Sequence, residues 1–353
     1  MIQTEYFITR LKPRVKSIIR NCKICIIQRQ KPCSQIMAPL PPERCTLSPP
    51  FQSTGVDFAG PFELKVSPLR NSTYVKGYVC VFVCFSVRAV HLEACSDLST
   101  AAFQAAFARF VGRRGLPQRV TSDNGKNFLG ASRALEREFV TFLRNSAQDI
   151  SQKYVAHGFE WKFIPPDAPH MGGLWEAAVK SFKFHFKRVA GAQKFNFEEF
   201  STILARIEAV LNSRPISALS EDPSDLTALT PGHFLRGAPL MAFPEQTYEN
   251  ISVVNRWEKL KAIHHQFSIR WKEEYLKSLH KRYKWKNSAP NRQVGDLVVV
   301  MDDLLPPHEW RLGRIGKIFH GTDKNARIAE IRTSSGVVTR PIVKLCYLQF
   351  LSN

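Results

Sequence analysis

The chain has 353 residues and a mass of 40.2 kDa, which predicts two or three domains. Its longest apolar stretch, residues 78–87, is far shorter than the roughly 18 residues of a membrane span, and its N-terminus lacks the apolar core of a secretory signal. We therefore expect a soluble intracellular protein that does not bind membranes. Lysine and arginine number 50 against 30 acidic residues, a formal net charge of +20 that favours a polyanionic partner.

The positive charge is concentrated in two flanks of the chain. Residues 1–50 contain nine basic and two acidic side chains, and residues 256–292 contain eleven and three. Because each neutralised phosphate releases counterions, such clusters favour nucleic acid. A merely solvated basic surface and attraction to an anionic membrane are the alternative interpretations of charge alone. The basic segments show no separate lipid anchor, so we expect no membrane partner.

The first region, residues 1–50, contains a short helix followed by paired cysteines. The run LKPRVKSIIRNC predicts the helix, which leads directly to Cys22 and Cys25. Residues 38–50 contain five prolines and are typical of an extended linker. Eight cysteines in a chain without an export signal do not predict a disulfide framework.

Residues 51–215 alternate between strand and helix patterns, which predicts an α/β domain with helices on both faces of a sheet. Residues 78–85 and 87–95 are apolar enough for buried central strands. Residues 99–111 predict a helix with a Ser or Thr cap and three phenylalanines on one face. Further patterns predict a strand at 118–122 and an amphipathic helix at 131–143.

Three acidic residues in this domain stand in unusual local contexts. Asp57 lies within the apolar strand GVDFAGPF, where an unpaired acid is costly to bury. Asp123 follows a strand in TSDNGKNF, and Glu176 follows PHMGGLW at the beginning of a helix. Taken singly, each acid would more often be a helix cap or a turn residue than a metal ligand, and spacing alone is weak evidence for a site.

Lysines share one face of the helix that begins near Glu176. Lys180, Lys183 and Lys187 follow Glu176 at intervals of four, three and four residues, so the four side chains form one stripe. An acid that binds metal beside lysines that bind phosphates would explain this stripe. A solvated helix face with intrahelical ion pairs is the alternative.

Converging carboxylates are the ligands that hard divalent cations require. Mg²⁺ prefers oxygen ligands, and two such ions about 4 Å apart activate an attacking oxygen and stabilise a leaving one. Without cations, three close carboxylates would repel one another. If Asp57, Asp123 and Glu176 meet in the fold, we expect them to hold Mg²⁺ or Mn²⁺.

Two further regions complete the chain. Residues 216–290 begin with polar loops and end in a basic helix from Asn255 to about Lys286, whose apolar seam predicts packing on another helix or subunit. Residues 291–353 contain short strands at 294–301, 312–319, 326–333 and 336–343 that predict a small β-barrel. Its basic residues around Trp310 could contact phosphates or simply be surface charges; these are Arg311, Arg314 and Lys317.

GVDFAGPF, TSDNGKNF and PHMGGLWEAAVKSFK together resemble the three catalytic motifs of retroelement integrases, which share the ribonuclease H-like fold with DDE transposases. LNSRP at 211–215 and TPGHFLRG at 230–237 resemble the Pao/BEL group of LTR retrotransposons. The resemblance implies a mixed five-stranded sheet with Asp57 on its first strand and Asp123 just after its fourth, completed by Glu176 from a helix. It also implies an SH3-like terminal barrel.

The resemblance further implies the chemistry and the partners. Two metal ions would be held by the three carboxylates, while Asn124, His170, Lys180 and Lys183 would contact DNA or the metal ligands. The enzyme would be a polynucleotidyl transferase and endonuclease that processes 3′ ends of double-stranded DNA and transfers them to target DNA. It would act in the nucleus, after a cytoplasmic particle stage, as a homo-oligomer.

The sequence departs from the integrase pattern in two places. The family's N-terminal domain binds zinc through two histidines and two cysteines, yet the first histidine of this chain is His91. Only Cys22 and Cys25 match. Cys33 and Cys45 could complete a four-cysteine site, but we favour the interpretation that the segment is a truncated, vestigial zinc module. The interval between Asp123 and Glu176 is also long, and we attribute the excess to a loop inserted between helix and strand at residues 144–160.

Two other functions compete with integration. A domesticated or truncated DNA-binding remnant would keep the fold and basic flanks without catalysis. A ribonuclease H would hydrolyse without joining, although the downstream basic helix and barrel disfavour it.

Overall fold

The computed structural model divides the chain into two compact units, Met1–Pro41 and Pro42–Asn353. The structure describes the following residues: 9–23, 40–67, 72–122, 133–164, 169–191, 193–220, 222, 224–240, 255–279, 293–302, 305, 309–321 and 326–348. None of the helices within these ranges is both long and apolar enough to cross a membrane.

The first unit contains helix α1, Leu11–Asn21. The helix ends at Cys22, which is half-buried and has an extended backbone. Cys25, the second cysteine of the predicted zinc pair, lies outside the described residues. The vestigial zinc module therefore stays a prediction.

The second unit is built around a mixed sheet in the order β3-β2-β1-β4-β5, with a short β6 beside β1. Strands β1, β2 and β3 are antiparallel, whereas β4, β5 and β6 continue in parallel from β1. The strands are Ser53–Lys65, Tyr74–Cys84, Val90–Cys95, Arg119–Ser122, Glu160–Phe163 and Phe195–Asn196. A mixed sheet with flanking helices is the architecture that the sequence predicted.

One face of the sheet is covered by two helices. Helix α2 (Pro42–Cys45) precedes the sheet, and helices α3 (Thr100–Arg114) and α4 (Arg133–Tyr154) pack on it. Ser99 caps α3 by accepting a hydrogen bond from the Ala102 amide, as predicted. The predicted aromatic face of α3 is buried in this layer through Phe103, Phe107 and Phe110.

The other face is covered by α5 (Pro169–Ala190), α6 (Phe197–Asn212) and α8 (Arg256–Leu279). The seam predicted on α8 packs inside the same chain, where Phe267 lies 6.4 Å from Phe182 of α5 between ring centroids. Burial of this seam fixes α8 against the helix that carries Glu176. Trp257, at the beginning of α8, is 47% exposed.

The region between β4 and α5 differs from the sequence prediction. The described helix α4 continues to Tyr154, through residues that were predicted to form an inserted loop. Ala147 and Ile150 are buried one helical turn apart, which explains why this polar stretch remains helical. The insertion at 144–160 is therefore mostly helix, and the prediction of a loop is wrong.

Side chains of α6 cover the edge of the sheet that strand β3 forms. At edge strand β3, Asn212 accepts from the Val90 amide at 2.8 Å and donates to its carbonyl at 2.7 Å. Glu208 accepts from the Leu92 amide at 2.8 Å and lies 3.0 Å from the buried ring of His91. These side chains satisfy backbone groups that an edge strand otherwise leaves unpaired.

The C-terminal part forms an antiparallel five-stranded sheet in the order β12-β11-β10-β9-β13. Its strands are Leu297–Val300 (β9), Arg311–His320 (β10), Ala326–Thr333 (β11), Gly336–Pro341 (β12) and Leu345–Tyr347 (β13). A hairpin, β7 (Ser217–Ala218) and β8 (Ala228–Leu229), and the short α7 (Pro231–Arg236) precede α8. The SH3-like identity of this sheet stays a prediction.

The LNSRP motif joins this sheet to the core. Ser213 accepts a hydrogen bond from the Trp310 indole at 3.3 Å, and the Pro215 carbonyl accepts from Tyr275 at 2.5 Å. Arg314 is buried and donates to carbonyl groups of the loop between β7 and β8, including that of Asp222 at 2.6 Å. The prediction that Arg314 contacts phosphate is therefore wrong, because its buried guanidinium group is hydrogen-bonded to backbone carbonyl groups.

Candidate active site

Asp57 lies in the middle of β1, opposite Val81 of β2. Side chains alternate along a strand, so the buried Val56 and Phe58 pack on the α3 side, whereas Asp57 shares the α5 side with Ala59. Asp57 is half-buried, and its Oδ1 accepts a hydrogen bond from the Phe58 amide at 2.7 Å. The strand thus presents a carboxylate to the face that α5 covers.

A glycine–tryptophan contact holds α5 against β1 at this point. A Cβ atom placed on Gly55 would lie 2.3 Å from Cε3 of Trp175, so only glycine allows the indole to lie on the strand. Trp175 is 2% exposed and stacks on Phe85 with ring centroids 5.5 Å apart. Because Gly55 is two residues before Asp57 and Trp175 directly precedes Glu176, this contact brings both acid-bearing segments to one place.

Glu176 is half-buried in the first turns of α5 and folds back towards the beginning of the helix. A Cβ atom on Gly172 would lie 2.6 Å from Glu176 Oε1. The glycines that precede Glu176 therefore make room for its carboxylate.

The lysines predicted to bind DNA occupy different environments on α5. Lys180 and Lys187 are exposed, while Lys183 is half-buried. Burial lowers the pKa of Lys183, the neighbouring Lys187 lowers it further, and Asp57 opposes both effects. Lys183 thus lies within electrostatic range of Asp57, an arrangement that the sequence spacing did not predict.

The described residues do not include the whole predicted site. Asp123 and Asn124 lie outside them, and His170 lies in the first turn of α5 without a described side chain. The last residue of β4, Ser122, pairs with Val56, the neighbour of Asp57. Strand β4 therefore ends beside the Asp57 segment, at the position from which the third acid would follow.

The two carboxylates that the structure describes at this site are suitable ligands for a hard divalent cation. Asp57 and Glu176 offer carboxylate oxygens, the ligands that Mg²⁺ and Mn²⁺ prefer. Within the ranges that the structure describes, no group of three or more His, Cys, Asp or Glu side chains converges as a metal site. The remaining predicted ligand, Asp123, is not part of those ranges.

Comparison with known proteins gives one family match and distant structural neighbours. Residues 255–348 match a family of unknown function, DUF5641, which covers α8 and the C-terminal sheet but less than half of the chain. No curated protein matches the sequence.

The structural neighbours are retroviral integrases. A cryoEM structure of the simian T-cell lymphotropic virus intasome in complex with PP2A regulatory subunit B56 gamma aligns with 98% of this chain and 93% of that chain, at 12% identity and a TM-score of 0.34. The HTLV-2 integrase catalytic core domain in complex with magnesium aligns with 46% of this chain and 88% of that chain, at 16% identity and a TM-score of 0.29. Both TM-scores lie below 0.5, so the case for function rests on this chain's own residues.

Proposed function

We propose that this protein is the integrase of an LTR retrotransposon of the Pao/BEL type, which processes the 3′ ends of the element's DNA and joins them to target DNA. The observation that carries the proposal is the contact between Gly55 and Trp175, which brings the Asp57 and Glu176 segments together on one side of the sheet. Both segments belong to sequence motifs that resemble integrase motifs, in the same order.

Asp57, Asp123 and Glu176 would hold two Mg²⁺ or Mn²⁺ ions. When bound, these ions supply the positive charge that favours deprotonation of the attacking oxygen and stabilises the leaving oxygen. Support for the third ligand comes from β4, which ends at Ser122 beside Val56. Zinc has no role in this proposal, because Cys22 and Cys25 are only half of a tetrahedral ligand set.

The side chains of α5 would position the DNA. Lys180 and Lys183 follow Glu176 by one and two turns of α5 and would bind phosphates on either side of the scissile bond. In the first step water attacks the phosphodiester near the 3′ end and releases a terminal fragment. In the second, the freed 3′ hydroxyl attacks target DNA in line, and the target's own 3′ oxygen leaves. Asn124 and His170 would complete the contacts.

The proposed role also implies the substrates, the oligomeric state and the cellular location. The substrates are two double-stranded DNAs, the element end and the target, and the strongly basic composition supports such a partner. The enzyme would work as a homo-oligomer in the nucleus, with an SH3-like C-terminal domain after the core.

A strand-transfer assay with element-end oligonucleotides in Mg²⁺ or Mn²⁺ tests the proposal. We expect Asp57→Asn, Asp123→Asn and Glu176→Gln each to reduce joining by at least about 100-fold, because each removes a metal ligand. Asp149→Asn is the matched control, since Asp149 is an exposed acid on α4. Its activity should equal that of the wild type.

The outcomes separate the competing functions. Hydrolysis without joining would identify a nuclease of the ribonuclease H type. Tight DNA binding without any reaction would identify a non-catalytic remnant. Equal joining by wild type and the three carboxylate variants would show that the triad is assigned incorrectly.

A further inference from the structure

The outer face of α5 carries a row of three residues, of which Phe184 and Arg188 have no role in the proposed chemistry. Lys180, Phe184 and Arg188 recur at four-residue intervals, so they lie along one side of the helix over about 12 Å. Lys180 and Arg188 are exposed, and Phe184 is 45% exposed. An aromatic ring thus stands between two cations, on the helix that also carries Glu176.

The ring of Phe184 is held in position by its neighbours. The guanidinium carbon of Arg188 lies 3.4 Å from the ring centroid, and Nη1 of Arg188 donates to the Phe184 carbonyl at 3.0 Å. On another side the buried ring of His185 meets Phe184 edge-on, with centroids 5.1 Å apart and planes at 87°. A fixed aromatic surface loses little conformational entropy when it binds a flat partner.

The charge around Phe184 identifies the kind of partner. On α5, residues 177–190 contain four basic residues and no acidic ones, and Glu274 of α8 is paired with His185 at 2.8 Å. A docked apolar protein surface or a lipid bilayer would call for several exposed apolar side chains, whereas on this row the ring stands alone between cations. A nucleic acid strand matches both features, because its bases stack on aromatic rings while its phosphates approach cations.

We propose that Phe184, braced by Arg188, stacks on an unpaired base of the DNA end, while Lys180 and Arg188 bind the flanking phosphates. This inference rests on the proposed integrase function, which places the DNA end at Asp57 and Glu176. Removal of nucleotides from a 3′ end leaves the complementary 5′ strand unpaired. The row on α5 would guide that strand away from the carboxylates.

Binding of two matched DNAs to the full chain, without divalent metal, tests the inference independently of catalysis. One duplex carries a short 5′ overhang containing the fluorescent base 2-aminopurine, and the other is blunt. Stacking on Phe184 should quench the fluorescence of the overhang. Phe184→Ala should weaken binding of the overhang duplex by roughly 5- to 150-fold, the range of base–aromatic stacking, while binding of the blunt duplex changes little.

Further variants separate stacking from general apolar contact. Phe184→Tyr should bind and quench like the wild type, whereas Phe184→Leu should resemble Phe184→Ala, because leucine is apolar but has no ring. Phe197→Ala is the matched control, since Phe197 is 42% exposed at the beginning of α6. Urea unfolding of each variant should show that the fold is retained.

Several results would overturn the inference. Wild-type behaviour of Phe184→Leu would exclude stacking, and equal losses for both duplexes would show that Phe184 does not select an unpaired base. If the wild type joins DNA but Phe184→Ala binds the overhang normally, the inference fails and the integrase function stands. If the aromatic dependence holds but no joining occurs, the integrase function fails instead. Absence of DNA binding by the wild type overturns both.

Discussion

Substitution of Gly55 by alanine provides the sharpest test of how the site is assembled. The new methyl group would lie 2.3 Å from Cε3 and 2.8 Å from Cδ2 of Trp175. Restoring ordinary contact requires a separation of about 3.4 Å, so the indole or the strand must move by about 1 Å. Overpacking of this kind costs about 1–3 kcal/mol of the free energy of unfolding. Because Trp175 precedes Glu176, the carboxylate should move with it.

A displacement of about 1 Å at a reacting centre lowers activity by about 100-fold. We therefore expect Gly55→Ala to lose most strand transfer while urea unfolding shows that the protein remains folded. The double variant Gly55→Ala with Trp175→Phe should recover part of the activity, because the smaller ring leaves space for the methyl group. Gly112→Ala is the control: it lies in α3 with nothing within 4 Å of its added Cβ. Full strand transfer by Gly55→Ala would refute the proposed role of the glycine–tryptophan contact.

Three further predictions concern stability, measured by urea unfolding. Burial lowers the pKa of Lys272 to about 8 from its ordinary 10.5, so the wild type should gain stability relative to Lys272→Met as pH rises from 8 to 10.5. A flat difference would contradict this. Burial would lower the pKa of His91, but hydrogen bonds to Glu208 and Glu93 raise it above 6.5. The advantage of wild type over His91→Gln should thus be largest below pH 6.5 and decline as pH rises through the raised pKa; growth of the advantage with pH would refute it. Asn212→Ala should cost about 2–4 kcal/mol, since two buried backbone groups of β3 lose their partners, and a loss below about 1 kcal/mol would show that water replaces them.

Hydrophobic patterns predicted the elements of the core better than the contacts between them. The apolar runs of β2 and β3 and the phenylalanines of α3 have the spacing that buried strands and an amphipathic helix require. Helix α4 was underestimated, because its polar residues concealed Ala147 and Ile150, which are one turn apart and buried. A search for single apolar residues at helical spacing would have extended that helix to Tyr154.

In the candidate site, too, the sequence predicted individual residues better than the contacts between them. The motifs around Asp57 and Glu176 identified two of the acids, and both lie at the β1–α5 contact. Sequence alone did not link Gly55 to Trp175, because a pattern in one segment contains no information about which distant ring packs on it. An isolated glycine within a strand was the available signal, since it commonly marks the close approach of another group. Arg314 was misjudged for a related reason: its charge is visible in the sequence, but the carbonyl groups that converge on it are not.

Different faces of helix α5 serve packing, the carboxylate site and the proposed DNA contact, so substitutions on each face test these roles separately. Its inner face packs on the sheet through Trp175 and other apolar residues, so changes there alter stability and the position of Glu176 together. Its border carries Lys183, close enough to Asp57 for the two charges to interact. Its outer face carries the exposed row of Lys180, Phe184 and Arg188. A helix used only for packing would not need cations on both remaining faces, whereas a helix that lies between a carboxylate site and a DNA strand requires them.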